Sequence, residues 1–109
     1  MAEVIKILGQ LAPSASTYGT LYTVPSSKSA VISSITICNT NATDKSVRVH
    51  IVASGGSEGF GNVLYYDLEV PRNETLCTTQ GITLATGDFV RVWASATNVC
   101  FQIFGSEIG

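Results

Sequence analysis

The residues best suited to chemistry in this chain are Asp67 and Glu69, two carboxylates at alternate positions of a β-prone stretch beside Tyr65. On one extended strand such a pair shares a face at a spacing of roughly 7 Å, and paired carboxylates can divide the acid and base roles at a glycosidic bond. No flanking segment supplies a cleft to set one apart from the other, so a solvated strand face is expected. His50, the single histidine, falls at an outward position with no Ser or Cys beside it, and is expected at the surface rather than in a triad. Trp93, Tyr65, Tyr66 and Phe101 could form a sugar-stacking platform, although these residue types also serve as core and interface anchors. Cys38, Cys77 and Cys100 are odd in number and widely spaced, with neither a CxxC nor a secreted framework. A zinc site would need a fourth ligand, so they read as buried thiols on strands.

Two further patterns fail as sites. The segment Ser54 to Asn62, SGGSEGFGN, holds four glycines but lacks the GxGxxG order and the Lys-Ser/Thr pair of a phosphate loop. It is expected to be a mobile tip anchored by Phe60 alone. Asn41-Ala42-Thr43 and Asn73-Glu74-Thr75 match the glycosylation acceptor pattern and are read as turns. No catalytic, cofactor-binding or metal-binding residue is therefore expected, and the chain is not expected to be an enzyme.

The elements that position these residues read as strands. Val24 to Asn39 opens with a turn at Pro25 and continues as the longest β-prone run. Val31, Ile35 and Ile37 lie on one face and Ala30, Ile32 and Cys38 on the other, the pattern of a central strand covered on both sides. Ser46 to Ala53 alternates cleanly, with Val47, Val49, Ile51 and Ala53 inward and Ser46, Arg48 and His50 outward. Val63 to Val70 is a strand placing Tyr65, Asp67 and Glu69 on one face, followed by a Pro71 turn. Thr75 to Thr79 and the stretch after Gly81 read as two short strands, and Phe89 to Ser95 with Val99 to Phe104 as a hairpin. Val4 to Leu8 is an edge strand or arm, and Gly9 to Thr17 a flexible connector. No sustained helical period occurs. The expectation is an all-β fold, an antiparallel β-sandwich of about eight strands, jelly-roll-like or immunoglobulin-like, as one domain over residues 1–109 with 1–17 as the arm and connector.

Composition sets the partner class. A net charge of −2 gives no basic footprint for phosphate contacts, so nucleic acid is not an expected partner. No apolar run approaches the roughly 20 residues of a membrane helix, and the opening MAEVIKILGQLAP does not fit a signal peptide. Synthesis in a cytoplasm is expected. Charged residues make up only 13%, against about 25% in ordinary soluble domains. The balance is largely Ser, Thr and Gly, a neutral, packable surface suited to meeting other protein.

Four stretches, LYTVPSSKSAVISSITICNTN (Leu21 to Asn41), LYYDLEVPRNETL (Leu64 to Leu76), GITLATGDFVRVWAS (Gly81 to Ser95) and VCFQIFGSEI (Val99 to Ile108), resemble a family of small proteins encoded among the virion genes of tailed bacteriophages. The likeness runs from Lys6 to the terminal GSEIG and departs from the family pattern mainly at Ser54 to Asn62. The resemblance implies a virion structural protein with no enzymatic residues to carry over. Together with the composition, the expected function is a capsid decoration or cement protein that docks on and stabilises the assembled lattice as a homotrimer, made in the host bacterial cytoplasm and carried in the virion. The expected partner is the major capsid protein or another virion protein, with Val4, Ile5, Lys6, Ile7 and Leu8 as subunit or lattice contacts. The alternative is a tail, baseplate or fibre-associated module that binds a host-surface glycan.

Overall fold

A computed structural model describes residues 3–109, and among them it has eight strands and no helix. They are β1 (Glu3–Leu11), β2 (Gly19–Thr23), β3 (Ser29–Asn39), β4 (Lys45–Val52), β5 (Val63–Val70), β6 (Thr75–Leu84), β7 (Phe89–Ala94) and β8 (Val99–Ile108). Two four-stranded sheets form, in the orders β1-β8-β3-β6 and β2-β7-β4-β5, with neighbours antiparallel throughout. Every connection except β4 to β5 changes sheet. That order is a jelly roll, which decides between the two expected sandwich types.

Several local expectations change once the chain is paired. β7 and β8 are close in sequence but lie in different sheets, so the predicted hairpin is instead a corner. Asn98 adopts φ 63° there, and Ser95 N–H donates to the Ser46 carbonyl (2.9 Å) while Thr40 N–H donates to Asn98 (3.2 Å). The corner's backbone is thus held by β4 and by the residue that follows β3. The two short strands around Gly81 are one strand, β6, because the chain runs through the glycine without turning.

β3 is central in its sheet, but it is not covered on both sides. A bulge at Ser33 shifts its register against both β6 and β8 between Ile32 and Ser34. One extra residue reverses which parity faces inward. Ala30 and Ile32 before the bulge, and Ile35, Ile37 and Asn39 after it, therefore all point into the core. Gly105 on β8 lies opposite Ile32, where an added Cβ would run into the Val31 carbonyl. Only glycine allows the strands to close there.

The core lies between the sheets. Ile32, Ile35, Ile37, Phe101 and Ile103 from the first sheet meet Val47, Val49, Val90, Val92 and Ala94 from the second, all at 2% exposure or less. Full burial of a side chain of the larger kind contributes about 1.5–3 kcal/mol. One polar residue joins this core. The Asn39 side chain donates to the carbonyls of Val70 (3.0 Å) and Thr43 (3.1 Å) and accepts from Asn41 N–H (2.9 Å). It ties β3 in one sheet to the end of β5 in the other.

Candidate functional site

The outer face of the second sheet carries a concavity. Along β4, Arg48 lies opposite Trp93 of β7 and His50 opposite Arg91. Segment 53–62 leaves β4 and folds back over these side chains before β5 begins. The cavity it creates, of about 190 Å³, is lined by Tyr18, Arg48, His50, Glu58, Gly59, Phe60 and Tyr66.

His50 points outward as its position in β4 predicts, but it is buried at 2% exposure rather than at the surface. The cause is the loop, whose Asn62 lies against it with Oδ1 2.8 Å from His50 Nδ1. That amide is fixed, since its Nδ2 donates to Ser57 O (2.9 Å) and its Oδ1 also accepts from Gly59 N–H (3.0 Å). An amide oxygen only accepts, so Nδ1 carries the proton. In the neutral ring Nε2 then accepts from the Tyr18 hydroxyl at 3.1 Å. Both ring nitrogens are thus engaged, by an amide oxygen and a phenol rather than by a Ser or Cys.

Two ion pairs frame the cavity. Arg91 Nε donates to Glu58 Oε1 (2.8 Å), which holds the Glu58 carboxyl below its ordinary range, and Arg91 Nη1 donates to Thr20 (2.9 Å). Arg48 Nε donates to Asp67 Oδ1 (2.7 Å), and this carboxylate pushes the guanidinium further up. The Arg48 guanidinium is layered between Tyr66 and Trp93, with its carbon 4.4 Å and 4.1 Å from the two ring centres. Phe60, 82% exposed, meets Tyr66 edge-on at 5.4 Å. The loop therefore has Asn62 and Glu58 as anchors besides Phe60, which corrects its reading as a tip with one anchor.

The remaining sequence candidates separate. A register shift between Val47 and Val49 on the β4 side, with Asp67 at φ 52°, places Tyr65 opposite Val49 and packs it against the core. Tyr65 therefore does not share a face with Asp67 and Glu69. Asp67 is engaged by Arg48, and neither carboxylate lines the cavity. Of the proposed aromatic platform, Phe101 is in the core at 0% exposure and Tyr65 faces inward, leaving Trp93 and Tyr66 together about Arg48.

The outer face of the first sheet differs in kind. Its cross-strand rows are Glu3–Ile108–Ser29, Ile5–Ser106–Val31–Thr83, Ile7–Phe104–Ser34–Thr79, Gln10–Gln102–Thr36–Cys77 and Cys100–Cys38–Thr75. Among these residues Glu3, at the start of β1, is the one that is charged. The three cysteines lie on this face, two half-buried and Cys77 exposed, rather than inside, because the Ser33 bulge turns Cys38 outward. Of the five residues predicted as contacts, Leu8 joins the core and Lys6 donates to Glu107 (3.2 Å). Val4, Ile5 and Ile7 stay open at 50%, 85% and 52% exposure. β1 itself is paired to β8, with its other edge free.

No protein-family model matches this chain, and no curated protein sequence does. Solved structures do match it in fold. A chain from the structure of infectious bursal disease virus Gx strain superposes with a TM-score of 0.55 at 10% identity, over 97% of this chain and 32% of that one. A chain from the crystal structure of the T13 particle of the same virus gives a TM-score of 0.55 at 9% identity, over 96% of this chain and 30% of that one. This chain thus spans about a third of the length of the chains it matches.

Sequence reasoning missed Tyr18, Arg48, Glu58, Asn62 and Arg91 as a group. The available signal was the alternation that turns Arg48, His50, Arg91 and Trp93 to one outer face of two paired strands. What it lacked was the return of a glycine-rich loop across that face.

Proposed function

We propose that this protein is a non-enzymatic structural component of a tailed-phage virion, a capsid decoration or cement protein that docks on the assembled lattice of the major capsid protein. The observation that carries this reading is the segregation of charge. The outer rows of the first sheet hold no Asp, Glu, Lys or Arg apart from Glu3 at the start of β1, while the second sheet's outer face holds Arg48, Asp67, Glu69 and Arg91. Four strands about 4.8 Å apart and roughly eight residues long present a neutral area of order 500 Å². With the edge of β1 this approaches the roughly 800 Å² that one partner contributes to a standard interface. Val4, Ile5 and Ile7 are three of the five large apolar side chains exposed among the described residues. The fold shared with chains of virus particles supports the same reading.

Docking of this kind works by mass action. A subunit that binds only the assembled lattice stabilises each site by RT ln(1 + [L]/Kd), and a homotrimer gains further through multivalency. Quantitative mass spectrometry of purified particles tests the reading. Hundreds of copies per particle are expected. A dozen or fewer would refute decoration and favour a tail or baseplate position.

A further inference from the structure

We infer that the cavity beneath segment 53–62 is a binding site for one ring of a neutral saccharide. Its opening is formed by Phe60 and Tyr66, 82% and 46% exposed, which are the exposed large aromatic side chains among the described residues. Their rings are held edge-to-face at 5.4 Å, and Tyr18 forms a third aromatic wall. Aromatic faces of this kind pack against the C–H face of a sugar ring. The same site offers planar polar groups for its hydroxyls, the Arg48 guanidinium and the Glu58 carboxylate.

Those polar groups are already fixed before a ligand arrives. Arg48 is held by Asp67 at 2.7 Å and by two aromatic rings, and Glu58 by Arg91 at 2.8 Å. His50 holds the loop from below through Asn62. A site whose side chains are locked in advance loses less ordering entropy on binding. The charges also set the ligand class. Two guanidinium groups are matched by two carboxylates, so an anion would have to displace Asp67 or Glu58, and a cation would have to displace an arginine. A neutral ligand with an apolar face and a hydroxylated edge meets no such competition. A volume of about 190 Å³ limits the fit to a single ring. Single-ring affinity would be weak, and many copies on one particle would raise it by avidity. The inference does not depend on docking through the first sheet, whose outer face is on the opposite side of the sandwich.

Nuclear magnetic resonance titration of the ¹⁵N-labelled protein with glucose, galactose and N-acetylglucosamine tests it. At least one of these sugars is expected to shift resonances of segment 58–66 and the Trp93 indole, with a Kd near 1 mM. Phe60→Ala, at an exposed position, should weaken that binding about tenfold with the fold unchanged. Ile5→Ser, on the opposite face, should leave it unchanged, so that loss of lattice docking and loss of sugar binding are read separately. Absence of shifts with all three sugars at tens of millimolar would overturn the inference. So would shifts produced by glucose 6-phosphate or benzyl alcohol alone, or binding that survives Phe60→Ala.

Discussion

Replacing Tyr22 by Phe removes a single hydroxyl and should cost this fold a measurable part of its stability in a pH-dependent way. Tyr22 donates to Glu107 Oε2 at 2.6 Å, and both residues are buried, at 8% and 6% exposure. Lys6 reaches Oε1 of the same carboxylate at 3.2 Å, but its side chain is 44% exposed, so solvent weakens its share. The Tyr22 hydroxyl, and after it Lys6, hold the Glu107 carboxyl below the usual range against the opposing effect of burial. A charge-assisted hydrogen bond of this kind is worth about 1.5–3 kcal/mol. For a domain of this size the melting temperature should fall by roughly 10 °C at pH 7. The sign of the pH dependence follows from the lowered carboxyl. Its stabilising contribution is complete above the unfolded-state value of about 4.3 and is lost as pH falls through the lower folded-state value. In Tyr22→Phe burial acts on the carboxyl without that hydroxyl, so the two proteins should converge in stability as pH drops from 5 towards 2. Urea unfolding followed by Trp93 fluorescence at several pH values measures this. A deficit below about 0.5 kcal/mol at pH 7, or one that stays constant into acid, would refute the reasoning.

Three other outcomes follow from the geometry. Asn39→Ala should lower stability by about 2–3 kcal/mol, because the carbonyls of Val70 and Thr43 and the N–H of Asn41 lose a buried partner; denaturant titration measures it. Deleting Ser33 should prevent folding, since removal of the bulge turns Ile35 and Ile37 to the outer face; a soluble deletion protein with a native circular dichroism spectrum would contradict the assigned register. Asn62→Ala should release segment 53–62 and speed its amide hydrogen exchange while β3 and β8 keep their protection; unchanged exchange in the loop would show that Asn62 does not hold it.

The strand content was legible because most of these strands alternate or run apolar between clear turn residues. What could not be read was parity across the bulges. β3 shows apolar residues on both sequence parities, which the alternation rule interprets as a strand covered on both faces. Ser33 produces the same pattern by switching parity halfway, and nothing in a serine marks it as the extra residue. The Asp67 bulge does the same for Tyr65 and Tyr66. Corners were equally hidden, since the short loop between β7 and β8 has the length of a hairpin but changes sheet. The outer-face group about His50 depends on where a glycine-rich loop comes to rest, a tertiary fact that leaves only Phe60 and Asn62 as local hints. By contrast, the scarcity of charge was visible in composition, and on the outer face of the first sheet Glu3 is the charged residue of the cross-strand rows.

That neutral face is the centre of the account, and Thr36 lies near its middle, between Gln102 and Cys77. The most direct test is co-sedimentation of purified protein with phage heads that lack it, comparing the natural chain with Thr36→Glu. The natural chain should saturate at a fixed number of sites, and Thr36→Glu, folded by circular dichroism and melting, should bind at least a hundredfold more weakly because its charge would be buried unpaired. Equal binding by the two proteins would contradict the proposal that this face meets the lattice.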